Sequence, residues 1–202
     1  LLHVTGGAPV TFVELGALDG VTYSNTLILE RCFGWTGLLI EANPTNYAAL
    51  LRSPRTARKV HAAICSQGTV PITTVGGAIS GVLSEMTESI VALRRHKGFA
   101  SNRTVDVPCR SLSTLMTDHG LQRATLLSLD VEGSEATVLA RTDPSRFSLA
   151  IIEDDHRSAQ HRALVHERAI VGGWLRPARR LWVPGSRVYV RQVAASIRTG
   201  TY

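Results

Sequence analysis

At 202 residues, with 44% hydrophobic and 19% charged side chains, the chain is long enough for one domain with its own core and too apolar to be disordered. No apolar run reaches the roughly 18 residues a membrane helix needs, so no membrane segment is expected. The net charge of +6 leaves room for an anionic partner, yet aromatics make up only 5% and do not interleave with the late arginines Arg176, Arg179, Arg180, Arg187, Arg191 and Arg198, which argues against a nucleic-acid surface.

The first organised stretch is Thr11 to Gly20, TFVELGALDG, a short apolar strand that meets Glu14 and turns on Gly16 and Gly20. Asn25 to Phe33 has helical spacing and stops at Gly34. Gly37 to Glu41 is a second buried strand ending on an acid, and Asn43-Pro44 opens a helix as cap and first-turn residue. Lys59 to Ile64 predicts a third strand, and Thr69 to Val75 a further β-like stretch. Gly76 to Gly81, GGAISG, reads as a lid or surface loop before a helix over Ser84 to Lys97.

Thr104 to Arg110 alternates as an extended segment, and Pro108 places it at a sheet edge. A short helix, Ser113 to His119, precedes the strand Ala124 to Asp130; a helix to Arg141 and the strand Ser148 to Glu153 follow. Ser158 to Val171 is an amphipathic helix closed by Gly172-Gly173, on which His161 and His166 are expected to be exposed, and His61 reads as structural. Leu181 to Val183 and Arg187 to Val190 flank Pro184-Gly185 and predict a closing β-hairpin. Cys32, Cys65 and Cys109, odd in number and widely spaced, read as reduced core residues without disulfide or zinc.

The alternation implies an α/β fold: a mostly parallel sheet with helices on both faces and a C-terminal antiparallel hairpin, in a single domain whose core runs over about residues 11–191. Four strands that end on acids at one sheet edge place a site there. Glu41, 21 residues beyond Gly20, suits the hydroxyls of a ribose. The pattern Glu14-x-Gly16-x-x-x-Gly20 is longer than a pyrophosphate-binding glycine loop and carries an acid where a phosphate would be repelled. A cationic adenosyl ligand, S-adenosylmethionine, fits better than a nicotinamide dinucleotide.

Glu14 to Gly20, the IEAN of Ile40 to Asn43, the LDVEGSE of Leu129 to Glu135 and the IIE of Ile151 to Glu153 together resemble the FkbM family of S-adenosylmethionine-dependent methyltransferases. The resemblance runs from about Phe12 to Val190. It implies a Rossmann-like class I methyltransferase fold, a seven-stranded sheet with its final strand antiparallel, and O-methylation of a hydroxyl on a sugar, glycan or small natural product. Two departures are Glu14, where many relatives carry aspartate, and Ser113, where an aspartate often stands.

On this reading Glu14, Gly16, Ala17, Gly20 and Ser24 shape the amino-acid end of the cofactor pocket. Glu41, Ala42 and Asn43 take the ribose side, and Ala62 to Cys65, with Ala63, the adenine side. Asp130 and Glu132 stand beside the reacting centre, and His156 is the candidate general base. Glu135 serves either there or as a helix-dipole contact. Magnesium held by Asp130, Glu132, Asp154 and Asp155 is possible but not favoured, so no metal is expected. The alternative is a non-catalytic module holding an anionic partner on its basic surface. A cytoplasmic location is expected; the sequence names neither acceptor nor oligomeric state.

Overall fold

The computed structural model describes residues 10–74, 77–86, 88–99, 103–153, 158–177 and 185–191. The chain opens with β1 (Thr11–Leu15), α1 (Leu27–Phe33), β2 (Thr36–Glu41), α2 (Pro44–Arg52) and β3 (Arg58–His61). An inserted unit follows, made of β4 (Ala63–Ile64), β5 (Gln67–Thr73), α3 (Glu88–His96) and β6 (Thr104–Arg110). The chain then resumes with α4 (Leu112–Asp118), β7 (Ala124–Leu129), α5 (Glu135–Ala140), β8 (Phe147–Glu153), α6 (Ala159–Val171), β9 (Trp174–Leu175) and β10 (Ser186–Arg191).

Seven strands form the main sheet in the order β3-β2-β1-β7-β8-β10-β9. β10 is antiparallel to β8 and β9, and the other ladders are parallel. Of the expected hairpin, Arg187 to Val190 is β10, while Leu181 to Val183 lies outside the described residues; β10 pairs instead with Trp174 and Leu175.

The strands have apolar side chains on both faces, as a sheet covered on two sides requires. Val13, Leu15, Leu38, Ile40, Leu127 and Leu129 point to one face and pack with residues of α4, α5 and α6. Phe12, Leu39 and Leu126 point to the other, where Leu50 of α2 meets them and Leu29 of α1 packs alongside. Local signals set the helix ends. Asn43 Oδ1 accepts the N–H groups of Thr45 and Asn46 at the start of α2, Pro44 occupying its first position, and Ser158 caps α6 through the N–H of His161.

Several expectations need correction. The third strand is two: β3 joins the main sheet, Ala62 donates its N–H to the Glu41 carbonyl, and β4 turns into a separate three-stranded sheet, β4-β6-β5. β6 is the central strand of that sheet and not its edge. β4 is so short that it covers only Cys109 and Arg110, which leaves β6 uncovered on that side at Pro108. The helix expected over Ser84 to Lys97 begins later, at Glu88, after a 3₁₀ turn at Leu83–Glu85.

The cysteines also differ from expectation. Pairing of β4 with β6 brings Cys65 beside Cys109, Cα atoms 5.5 Å apart, and the two form a disulfide in the core of the small sheet. Cys32 is free and exposed on α1, because it falls on the helix face turned away from the sheet. No described helix is long and apolar enough to cross a membrane.

Trp174 anchors the outer end of the main sheet, fully buried with Phe147 6.5 Å away centre to centre. Trp174→Ala is expected to lower stability by about 3–5 kcal/mol, read from the midpoint of urea unfolding.

Candidate active site

The chain runs outward from β1 to β2 and β3, then returns to build β7 and β8 on the other side of β1. Such a reversal opens a crevice at the carboxyl ends of the strands. Glu41 and Glu153 end β2 and β8, Glu14 is the last residue but one of β1, and Asp130 directly follows β7, so parallel pairing brings four acids to one edge. They line a cavity of about 630 Å³.

Its wall on the β1 side is organised by Arg55, a buried residue that sequence reading passed over. Its Nε donates to Glu30 Oε2 at 2.8 Å, one terminal nitrogen to the Gly20 carbonyl and Ser24 Oγ at 2.7 and 2.9 Å, and the other to Thr26 Oγ1 at 2.7 Å. The guanidinium lies 5.6 Å from the ring centre of Phe12 and 3.8 Å from the Glu14 carboxylate. Glu14 accepts further bonds from Ser24 Oγ, Thr26 Oγ1 and the Asn25 N–H. Burial pushes the Glu14 carboxyl up, against the pull of these donors and of Arg55. Glu30 is also desolvated, yet the Thr56 and Arg55 donors hold it below the usual range. A motif search could not find Arg55, which sits in an irregular stretch between α2 and β3.

Glu41 is built differently. One oxygen accepts the Leu18 N–H at 2.8 Å, the other the Asn43 N–H at 2.7 Å, and the Asn46 side chain also donates to this carboxyl. Burial pushes its pKa up to about 7. Asn43, besides capping α2, donates its side-chain amide to Ser80 Oγ at 3.0 Å and towards the Thr73 carbonyl at 3.4 Å. Asn46 reaches the Gly77 carbonyl, and the buried Arg94 donates to the Ile79 carbonyl and Thr73 Oγ1. The loop after β5 is therefore pinned across the cavity, with Ser80 and Gly81 in its lining; Gly76 lies outside the described residues.

On the β7 side the chain turns sharply from Asp130 to Glu135. Glu132 and Gly133 both have positive φ, 55° and 112°. Glu135 stabilises this turn by accepting the N–H groups of Val131 and Gly133, and the N–H of Asp130 is held by the Leu15 carbonyl. A side chain at Gly16 would place its Cβ 1.7 Å from the Asp130 carbonyl oxygen, so the two turns meet at a contact only glycine permits. His161 Nε2 lies 3.0 Å from Glu135 Oε2 and is largely buried, contrary to the expected exposure, because α6 packs against α5. His166 is also part-buried, its Nδ1 3.2 Å from the hydroxyl of Tyr189. His61 stacks on Tyr47 with its Nε2 3.0 Å from the Ala42 carbonyl.

Of the residues expected at the site, Glu14, Gly16, Ser24, Glu41, Ala42 and Asn43 line the cavity, and so do Ala63, Asp130 and Glu132. Ala17 is buried behind the wall, and Gly20 faces Leu50 and Arg55. His156 lies outside the described residues, as do Asp154 and Asp155. Among the described residues, the acids close enough to share a cation are Asp130, Glu135 and Glu153, whose oxygens lie within 4.8 Å of one another. That set shares Asp130 with the one read in the sequence, two of whose members, Asp154 and Asp155, lie outside the described residues.

The family model described as the Methyltransferase FkbM domain matches residues 14–169, from the first acid of the site to the end of α6. The chain belongs to the FkbM methyltransferase family. No curated protein matches it. The FkbM match spans every acid that lines the cavity and also Arg55. Strain gathers in the same place. The three non-glycine residues with positive φ among those described, Leu18, Tyr23 and Glu132, all line the cavity of this methyltransferase domain.

Two outcomes follow for stability. Arg55→Met, which leaves Glu14 and Glu30 buried without their counter-charge, should cost about 3–5 kcal/mol in urea unfolding. Glu41 holds its proton more tightly folded than unfolded, so its contribution is complete below its ordinary pKa and is lost as pH rises through about 7. Glu41's contribution to the unfolding free energy should fall by about 3 kcal/mol between acidic and mildly alkaline buffer, and Glu41→Gln should flatten that slope.

Proposed function

We propose that the chain is an S-adenosylmethionine-dependent methyltransferase that methylates a hydroxyl on a sugar, glycan or small natural product. The observation that carries the reading is Glu41, a buried carboxylate at the end of β2 inside a cavity at the switch point of the sheet. That is where open α/β sheets hold the ribose of an adenosyl ligand. The lining suits a cation without phosphate: Glu14, Asp130 and Glu132 accompany Glu41, and Lys97 is the one basic side chain among the described residues that line the cavity.

Glu14, Gly16 and Ser24 frame the amino-acid end of the ligand, with Ala17 and Gly20 packed behind them. Glu41 accepts from the ribose hydroxyls, Ala42 and Asn43 close that end, and Ala62 to Cys65, with Ala63, flank the adenine. When bound, S-adenosylmethionine supplies a methyl carbon already activated by positive sulfur, so alignment and exclusion of water matter more than further activation. The loop pinned by Asn43, Asn46 and Arg94 supplies the exclusion.

A hydroxyl acceptor must lose a proton. Asp130 and Glu132, on the turn after β7, stand beside the reacting centre, and His156, three positions after Glu153 in the sequence, is the general base of this proposal. The alternative, a non-catalytic module holding an anionic partner on its basic surface, gives no role to the cavity lined by acids.

Titration calorimetry tests the reading. The protein should bind S-adenosylmethionine more tightly as pH rises through about 7, where Glu41 ionises and accepts two hydroxyls at full strength. Glu41→Ala should weaken binding by roughly 1–3 kcal/mol and abolish that pH dependence. Absence of binding even at millimolar ligand would sink the proposal.

A further inference from the structure

Tyr23 is unlike the other residues of the cavity wall. It is 83% exposed, so its ring adds little to the stability of the fold, yet its backbone φ is 58°, a conformation that costs a bulky side chain energy and a glycine none. Scattered aromatic rings on a surface need no explanation, but strain at one that borders a cavity does.

The segment holding Tyr23 is fixed on both sides. Asp19 accepts the N–H groups of Val21 and Thr22 and the hydroxyl of Thr22, at 2.8, 2.7 and 2.7 Å. Ser24 is bound to Glu14 and Arg55, both at 2.9 Å. Asn25 donates its side-chain amide to Ser128 Oγ of β7 at 3.0 Å, which draws the segment towards the Asp130 side of the cavity and away from Glu41. Tyr23 is thus held at the cavity rim by a segment tied to β1 through Glu14 and to β7 through Ser128.

We infer that Tyr23 is the acceptor-positioning residue of this cavity: its ring is a platform for the C–H face of an uncharged ring-shaped acceptor, while the acids behind it turn anionic acceptors away. The inference rests on the methyl-transfer reading above. The negative face of an aromatic ring attracts polarised C–H groups, and tyrosine offers a large rigid contact with few rotatable bonds. Acids outnumber bases on the described lining, Glu14, Glu41, Asp130, Glu132 and Glu153 against Lys97; Arg55 offsets Glu14, Arg94 attracts Glu132, and Glu41 adds its charge as pH rises through about 7. The chain as a whole carries +6, so this preference belongs to the cavity and opposes that of the surface.

Saturation-transfer difference NMR on the full chain loaded with S-adenosylhomocysteine tests it, with the methyl glycosides of glucose, galactose, mannose and rhamnose as probes and glucose 6-phosphate as the anionic counterpart. At least one glycoside should show transfer concentrated on one face of its ring, and the phosphate none. Tyr23→Phe should keep the signal. Tyr23→Ala should raise the dissociation constant roughly two- to tenfold, the range for one lost ring contact, with unchanged S-adenosylhomocysteine affinity.

Tyr23→Gly should lose the contact equally while its unfolding midpoint stays at or above that of the wild type, a combination that a structural role would not produce. Equal binding by wild type and Tyr23→Ala, binding of the phosphate as tight as that of the glycosides, or no glycoside signal from protein with bound S-adenosylhomocysteine would overturn the inference alone. Failure of S-adenosylhomocysteine to bind would overturn the methyl-transfer reading beneath it.

Discussion

A single buried guanidinium holds the first wall of the site together. Arg55 bonds to the Gly20 carbonyl, Ser24, Thr26 and Glu30, and lies close to Glu14, so that β1, the turn after it, α1 and the loop before β3 share one charge. Isolated burial of any of these groups would be costly, whereas together they satisfy one another. The arrangement leaves Glu14 facing inward onto its own loop while still bordering the cavity. Glu41 is held by neutral donors, the N–H groups of Leu18 and Asn43 and the Asn46 side chain, and burial leaves it poised near neutrality. Two acids that look alike in the sequence thus have different work, one fixing the wall and the other available to a ligand.

Most of the fold could be read from the chain because the signals were local. Apolar runs ending on acids marked β2, β7 and β8, and the Asn43-Pro44 pair marked the start of α2 by a mechanism the structure repeats. Other features depended on distant partners and carried no local sign. Ala62 divides what looked like one strand because β3 and β4 find partners in different sheets. His161 looked exposed on the pattern of its own helix, but α5 lies against it with Glu135. Cys65 and Cys109 are 44 residues apart and meet only through the small sheet.

The site was legible in the same uneven way. Its acids and first glycine belong to short motifs whose spacing reflects a strand followed by a turn, and Glu14, Gly16, Glu41, Asp130, Glu132 and Glu153 do converge on one cavity, while Gly20 turns to Leu50 and Arg55 behind it. Arg55 and Tyr23 have no motif. The first is recognised by what it touches, the second by a backbone angle, and neither property is written in neighbouring residue types. The brace role of Glu135 lies between these cases: its position at the start of α5 could be read, but its bonds back to Val131 and Gly133 depend on a left-handed turn.

The small sheet, inserted between β3 and α4, shares no hydrogen-bonded ladder with the main sheet among the described residues. It contributes the roof of the cavity through the loop after β5, while the main sheet contributes the acids. Floor and roof meet at Asn43, Asn46 and Ala62 on one side and, on the other, where Gly81, Glu85 and Met86 approach the turn from Val131 to Gly133. An insertion or deletion in the roof loop can remodel what the cavity admits without shifting the register of any strand below, so this architecture lets substrate range diversify over an unchanged foundation.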